Sequence, residues 1–516
     1  MHRSSLPKGQ RVFGSRFHYK IKRDNTSNTL QKLKVRLVIQ GNRMEEGTDY
    51  EQSFAPVPRS TAGRAVIALA AGNGLHLHAM DITQAFIQAN WADLPEDIGK
   101  VYISPPPGVD EDEGIVYEVL RPLYGHVASA RCLHFTLAKW FKERGFVQAG
   151  FEESVWTRPA GGKYGSDLIV STHIDDLLCA CSSLDVLQRF KQDFLESFDG
   201  TDDGEAKDYL GCEIISDWKA GPGTITIRQQ GYIERVLRAC GMEDCAPVST
   251  PLTPGIHLSK RDSPDIVDPA LQRRYRMILG FTGFLVQMTR PDLAFSYAAL
   301  SAFLACPGVK HLGEAEHMLQ YLRGTSTKGI TYSDPGPGKR NVLMGWVDSD
   351  FAGDPDTRKS VTGYVCSLNN GPIAWKAKRQ SCVTLSSAEA EFVAASICGQ
   401  EVIYLRSTLR GFGYEQKAAT VLYEDNASCI AMSNNPVNPA GSRHIDTRLY
   451  FLRDMVREGV LKLAKVDGTK NVADALTKSV PFPVLAKHRE YLLGTRTPFQ
   501  AFFASVGCTG AAATAA

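Results

Sequence analysis

The sequence predicts a mixed α+β fold that gives way, in its last third, to a separate α/β domain. Three observations carry this. Residues 168–181, LIVSTHIDDLLCAC, are two apolar runs meeting at Asp175-Asp176, the pattern of a buried β-hairpin. Residues 130–144 and 187–198 carry apolar side chains at helical spacing, apart from the strands. From 341 to about 480, strand-like and helix-like runs alternate, as in an α/β layer. A chain of 516 residues has room for two to four domains, and 43% hydrophobic with 22% charged residues is ordinary globular composition.

In order, residues 11–40 predict a small sheet. Within 33–40, Leu33, Val35, Leu37 and Ile39 alternate with Lys34 and Arg36 at a period of two. Residues 60–72 predict a helix with Ser60 as N-cap and Gly72 as its stop. LHLHAMDI, 75–82, predicts a strand ending near Asp81, with Phe86 five residues later. Residues 104–125 are loop-rich around Pro105-Pro106-Pro107-Gly108. Two aromatic-striped helices flank the Asp-Asp hairpin, and a short helix at 232–240 is closed by Gly241.

Residues 246–269 are proline-rich and predict a linker. Residues 270–325 return to helix with a break at Arg290-Pro291-Asp292, and SDPGPGKR (333–340) predicts a second linker. Beyond it, strands are predicted at 342–347, 362–367, 372–375, 420–423 and 461–466. Helices are predicted at 386–397, from 426, at 449–457 and at 471–478. The end, GAAATAA, is low in complexity and expected to be disordered.

Several classes are disfavoured. The twelve cysteines form no C-x-x-C pair and no zinc spacing, which predicts reduced thiols in an intracellular protein. The N-terminus has no apolar signal-like core, and no apolar run approaches membrane-spanning length. The net charge of +2 leaves any nucleic-acid surface to local clusters of Lys and Arg.

Chemistry concentrates in carboxylates. Asp81, Asp175 and Asp176 sit at a strand end and a hairpin tip; Asp348, Glu391, Asp425 and Asp474 sit at strand ends and on helices. Adjacent anions repel, and their burial is costly unless a cation compensates. Oxygen-only sets without His or Cys suit Mg²⁺, and paired ions serve phosphoryl displacement. Acids at strand ends are also common as turn and cap residues, so spacing alone leaves that alternative open.

The ordered series KVRLVIQG, GTDYEQSFAPV, AMDITQAF, VYISPPPG, LYG, HIDDLL, YLGCEI, TRPDLAF, YLRGT, GWVDSDFAGDPDTRKSVTGYV, WKAKRQ, LSSAEAEFVA, EDNASCIA, RHIDTR and NVADALTK closely resembles the reverse transcriptase–RNase H region of copia-type LTR retrotransposon polyproteins. The resemblance covers roughly residues 11–482. It implies a right-hand polymerase of fingers, palm and thumb over 1–245, a connection over 246–340, an RNase H-like domain over 341–482 and a tail over 483–516.

It further implies RNA-directed DNA polymerase and ribonuclease H activities. Asp81 and Asp175 would bind Mg²⁺ (two ions per active site, Mn²⁺ as substitute) with Asp176 in support. Lys34 and Arg36 would hold the triphosphate of an incoming dNTP, and Phe86 would be the steric gate under its sugar. Asp348, Glu391, Asp425 and Asp474 would form the RNase H metal-binding quartet. Glu389 competes with Glu391; the two point about 200° apart on a helix, and the Glu-x-x-Ala spacing favours Glu391. Arg443, His444 and Arg448 would contact nucleic acid. The implied partners are RNA template, primer, RNA/DNA hybrid, dNTPs and other polyprotein products such as integrase and capsid, with no membrane. The implied location is a cytoplasmic virus-like particle or the nucleus.

Two departures stand out. His173 occupies a usually aromatic position, and Val127-Ala128 replace a Lys-Gln pair near the template. Protease, zinc-knuckle and integrase motifs are missing, so a polyprotein fragment or truncated copy is expected. A decayed element that only binds hybrid, or one that retains RNase H alone, stays open.

Overall fold

The computed structural model describes residues 1–23, 30–96, 98–158, 168–217, 223–434 and 446–496. The chain forms two compact units, one of residues 1–59 and 76–206 and the other of 60–75 and 207–516. The low-complexity tail lies outside the described residues.

The first unit is built on a six-stranded antiparallel sheet. Its strand order is Gly200–Glu205, His76–Ile82, Asp176–Cys181, Leu168–His173, Glu152–Arg158, Val147–Ala149. Alternation puts Met80, Val170, Leu177 and Cys179 in one core with Trp140, Phe141, Phe190 and Phe194 of helices Ser129–Glu143 and Leu184–Leu195. The rings interlock: Phe141 stacks on Trp156 at 5.0 Å between centroids, and Trp140 meets Phe194 edge-on at 5.0 Å.

The second of these helices starts at Leu184, three residues before the predicted start. Ser183 caps it, its hydroxyl accepting from the Val186 N–H. The apolar stripe marks the buried face of a helix, and its cap marks the beginning. Gly200–Glu205, GTDDGE, reads as a turn in sequence and pairs nonetheless as an edge strand, through main-chain bonds that no side chain advertises.

Ser15–Arg23 and Leu30–Ile39 form a two-stranded hairpin. Its base is anchored where Ile39 is buried. Farther out, the apolar face is open, with Tyr19, Ile21, Leu33 and Val35 all exposed. A lone hairpin has no second layer to cover that face.

The second unit joins two sheets. The first has order Asp208–Tyr209, Cys212–Asp217, Thr224–Arg228, Gly329–Ser333 and is antiparallel throughout. Helices Gln230–Ala239, Pro269–Met288, Ala294–Ser301 and Val309–Gly324 share one apolar core. The break between the second and third holds a fully buried ion pair, Arg290 to Asp292 at 2.8 Å.

The proline-rich stretch ahead of these helices is pinned rather than loose. Leu252 is buried, and the Thr253 N–H and hydroxyl donate to Glu314 at 2.9 and 2.8 Å.

The second sheet has order Gly371–Arg379, Val361–Leu368, Met344–Asp350, Thr420–Glu424, Leu461–Lys465. Its first three strands are antiparallel and its last three parallel, as predicted for α/β alternation. Helix Ser387–Gly411 packs on it. Helix Phe482–Leu492 occupies what the sequence suggested was tail, and Leu485 and Leu492 are buried in the shared core.

Helix Ser60–Asn73 belongs to this second unit. Ala62 through Gly72 are all buried, and it packs on Gly329–Ser333 and Gly371–Arg379. Its Arg64 donates to the carbonyls of Ile373 and Gln287, each at 2.8 Å, and lies 4.1 Å from the Trp375 ring centroid.

Candidate functional site

Two acidic centres stand out, one in each unit. In the first, the sheet register sets Asp81 directly opposite Asp176. Cross-strand neighbours share a face, so two carboxylates are held side by side. Ile174 and Asp175 make the two-residue turn between the strands, and Ile174 has φ +61°. A β-branched residue rarely accepts that conformation, and the turn is held by the Ile82 N–H donating to the Asp175 carbonyl at 2.9 Å. All three aspartates are half-buried.

In the same unit, Tyr124 links two predicted nucleotide-contacting residues. Phe86 meets its ring edge-on at 4.8 Å, and the Arg36 guanidinium lies 4.8 Å from its centroid. Lys34 stands two residues along the same strand, with Lys20 opposite it and His18 opposite Arg36. Like charges facing one another across a hairpin are destabilising on their own and favour a polyanion.

The Val127-Ala128 departure falls on a packed corner. Ala128 is fully buried ahead of helix Ser129–Glu143, and Val127 packs against the cluster of Phe13, Ile39 and Val119.

In the second unit, Asp348, Glu391 and Asp425 converge, with one carboxylate oxygen from each within 4.8 Å of the others. The elements explain it. Asp348 lies on the central strand, Asp425 follows the neighbouring parallel strand, and Glu391 lies on the helix over them. Ser386 caps that helix by accepting from the Glu389 N–H at 3.2 Å, and the Glu389 carboxylate accepts from the Leu385 N–H at 2.6 Å. Glu389 is thus occupied at the helix start, and Glu391 is the glutamate facing the aspartates.

The charges in this cluster are poorly tolerated. Burial, and then the Asp474 charge, pushes the Asp348 carboxyl up to about 7. Burial and the neighbouring Glu424 push Glu391 up to about 11, and one buried Glu391 oxygen has no hydrogen-bond partner. Glu424 was not singled out from the sequence, although it adjoins Asp425. It is fully buried, and burial pushes it up to about 8. Thr477 donates its hydroxyl to Asp348. Asp474 lies outside the 4.8 Å trio but close enough for its charge to raise Asp348, and it pairs with Lys478 at 3.1 Å. Lys478 would be lowered by burial, but Asp348 and Asp474 hold it above its ordinary value.

An all-oxygen set with surplus negative charge and an unsatisfied carboxylate oxygen fits a divalent cation. Arg448 points its guanidinium at the Cys382 sulfur, 3.5 Å away. Arg443 and His444 lie outside the described residues.

The sequence pattern of the family described as reverse transcriptase (RNA-dependent DNA polymerase) matches residues 2–254. Over those residues the chain is similar to the reverse transcriptase family. The chain is 33% identical over 481 residues to the retrovirus-related Pol polyprotein of transposon TNT 1-94 from Nicotiana tabacum, covering 92% of this chain and 35% of that protein. It is 30% identical over 490 residues to the Pol polyprotein of transposon RE1 from Arabidopsis thaliana, covering 95% of this chain and 31% of that protein. The chain spans about a third of the length of the curated relatives it matches. Among solved structures, a prototype foamy virus protease-reverse transcriptase is similar at 12% identity and TM-score 0.24, over 91% of this chain and 51% of that one. Among the described residues no helix is long and apolar enough to cross a membrane.

Proposed function

We propose that this chain is an RNA-directed DNA polymerase with associated ribonuclease H activity, copying retrotransposon RNA into DNA by two-metal phosphoryl transfer. The observation that carries the reading is the convergence of Asp348, Glu391 and Asp425, whose buried charges the Thr477 hydroxyl and Lys478 offset only in part. The facing Asp81 and Asp176, with Asp175 at the turn, support the polymerase half.

In that half, Asp81 and Asp175 hold Mg²⁺, and Asp176 steadies the negative site from the neighbouring strand. Lys34 and Arg36 bind the triphosphate of a dNTP, and Tyr124 braces Arg36 against Phe86. Phe86 stacks beneath the sugar and excludes a 2′-hydroxyl. In the other half, Asp348, Glu391 and Asp425 are metal ligands and Asp474 supports them through Lys478. Bound divalent ions supply charge neutralisation and an activated oxygen nucleophile. Nucleic acid is held mostly through its phosphates, so binding weakens with salt. Domain boundaries at about 245, 340 and 482, action within a virus-like particle or the nucleus, and association with integrase or capsid belong to the same proposal.

The test is primer extension on RNA with dNTPs and Mg²⁺, with hybrid cleavage followed in the same tube. Asp175→Asn should abolish extension and leave cleavage; Asp425→Asn should do the reverse. Cleavage without extension by the unaltered chain would leave ribonuclease H alone, the reading favoured by Val127-Ala128. Neither product from folded, hybrid-binding protein would refute catalysis altogether.

A further inference from the structure

The second unit contains a cavity of about 420 Å³ away from its acidic trio. Strands Thr224–Arg228 and Gly329–Ser333 form one wall, through Thr226 and Thr331. Helix Phe482–Leu492 forms another, through Arg489. Lys328, Thr327 and Thr495 stand at its rim.

The charge here is not balanced from within. Arg290 and Asp292 satisfy each other in a fully buried pair. Tyr321 donates to Asp292 at 2.7 Å and accepts from Arg489 at 3.1 Å. Arg489 is therefore the surplus cation of that network, with one donor spent on a hydroxyl. Among the described residues no carboxylate forms an ion pair with Arg489 or Lys328. Glu490, which also lines the cavity, pairs with Arg496 at 3.3 Å. The floor adds hydroxyls: Thr226 and Thr331 face each other in register, their oxygens 2.8 Å apart, and either can turn its hydrogen to a ligand.

A guanidinium fork, an ammonium and hydroxyl donors around one cavity are the recognition set for a phosphate group. We infer that this cavity is a phosphate-binding site separate from both acidic centres. Arg489 grips the phosphate, Lys328 attracts it from the rim, and the threonine pair donates from the floor. The phosphate comes either from a nucleic-acid backbone or from a free phosphorylated molecule. Only the choice of hybrid as probe rests on the proposed function; the site needs no catalysis.

The experiment uses the full chain in EDTA, where no cleavage occurs. Binding of a fluorescent RNA/DNA hybrid is measured against salt, and inorganic phosphate is titrated separately by calorimetry. Lys328→Glu lies at an exposed position, and Arg489→Lys keeps the charge but loses the fork. Circular dichroism confirms that both are folded. If the phosphate belongs to nucleic acid, Lys328→Glu weakens hybrid binding about tenfold at low salt and reduces the slope of log affinity against log salt by about 0.9. If it belongs to a small molecule, wild type binds inorganic phosphate, both variants lose it, and hybrid affinity is unchanged. Folded variants that match wild type with both probes would overturn the site, whatever the fate of extension and cleavage.

Discussion

Asp425→Asn should make the metal-free protein more stable. Carboxylate oxygens of Asp348, Glu391 and Asp425 lie within 4.8 Å of one another. At pH 8 Glu391, pushed up to about 11, carries its proton, while Asp348, pushed up to about 7, is charged. Asp474 and, more weakly, Asp425 repel the Asp348 charge, and Lys478 with the Thr477 hydroxyl offsets part of this, so the pair of Asp348 and Asp425 sets an upper bound. At an effective dielectric constant of about 20, two unit charges at this distance repel by about 3 kcal/mol. The pH dependence has a definite sign. Asp348 takes up its proton more readily folded than unfolded, so its own contribution to metal-free stability is greatest below its ordinary carboxyl range. That contribution falls as pH rises towards 7.

Asp425→Asn should therefore gain at most about 3 kcal/mol at pH 8 and less than about 1 kcal/mol at pH 5, where Asp348 is already protonated. At roughly 1–2 °C per kcal/mol for a chain of this size, the melting temperature should rise by at most about 3–6 °C at pH 8. Scanning calorimetry in EDTA at both pH values measures this. Adding Mg²⁺ should narrow the gap, because the ion stabilises the wild type more than the variant. A variant no more stable than wild type at pH 8 in EDTA would refute net repulsion among these acids.

Other outcomes follow from buried groups elsewhere. Arg290→Ala leaves Asp292 as a fully buried, unpaired charge and should cost about 3–5 kcal/mol in denaturant unfolding. Trp140→Ala empties the centre of the Phe141, Phe190, Phe194 and Phe198 cluster and should cost about 3–5 kcal/mol by the same measurement. Burial lowers His126 and His134 to about 4, so the unfolded chain binds their protons first and stability falls as pH drops from about 6.5 towards 4. His126→Gln or His134→Gln should each flatten that fall, by up to about 1.4 kcal/mol per pH unit, in unfolding followed across the range.

Much of the fold was legible because side-chain period reports burial. LIVSTHIDDLLCAC became the two central strands and their turn, and the helix stop at Gly241, with φ +64°, came out where the glycine stands. What escaped detection was held by main chain or by distant residues. Gly200–Glu205 has turn composition and pairs through backbone bonds. The exposed apolar face of the hairpin shows that alternation reveals which side chains share a face, not whether anything covers it.

The acids were legible as residue types at strand ends, but their division was not. Asp348, Glu391 and Asp425 meet, while Asp474 is drawn to Lys478, and only packing reveals this. Glu424 was hidden because its burial depends on the whole sheet. Tyr124 was visible inside the LYG motif, but its contacts with Arg36 and Phe86 come from three separate parts of the chain.

Helix Ser60–Asn73 has a consequence for the making of the protein. Its Arg64 is anchored on the carbonyl of Ile373, 309 residues downstream. At a synthesis rate of about 5–20 residues per second, the ribosome reaches that anchor roughly 15–60 s after the helix is made. The helix's contacts with Gln287 and Gly329–Ser333 become available earlier, but until Gly371–Arg379 is made this almost wholly apolar segment lacks its full seat, while the sheet that contains His76–Ile82 can already assemble. A nascent chain stalled or cut before residue 373 would carry this segment incompletely covered, and chaperones would have to hold it. Expressing the N-terminal half alone should therefore give an aggregation-prone product, however sound its own sheet.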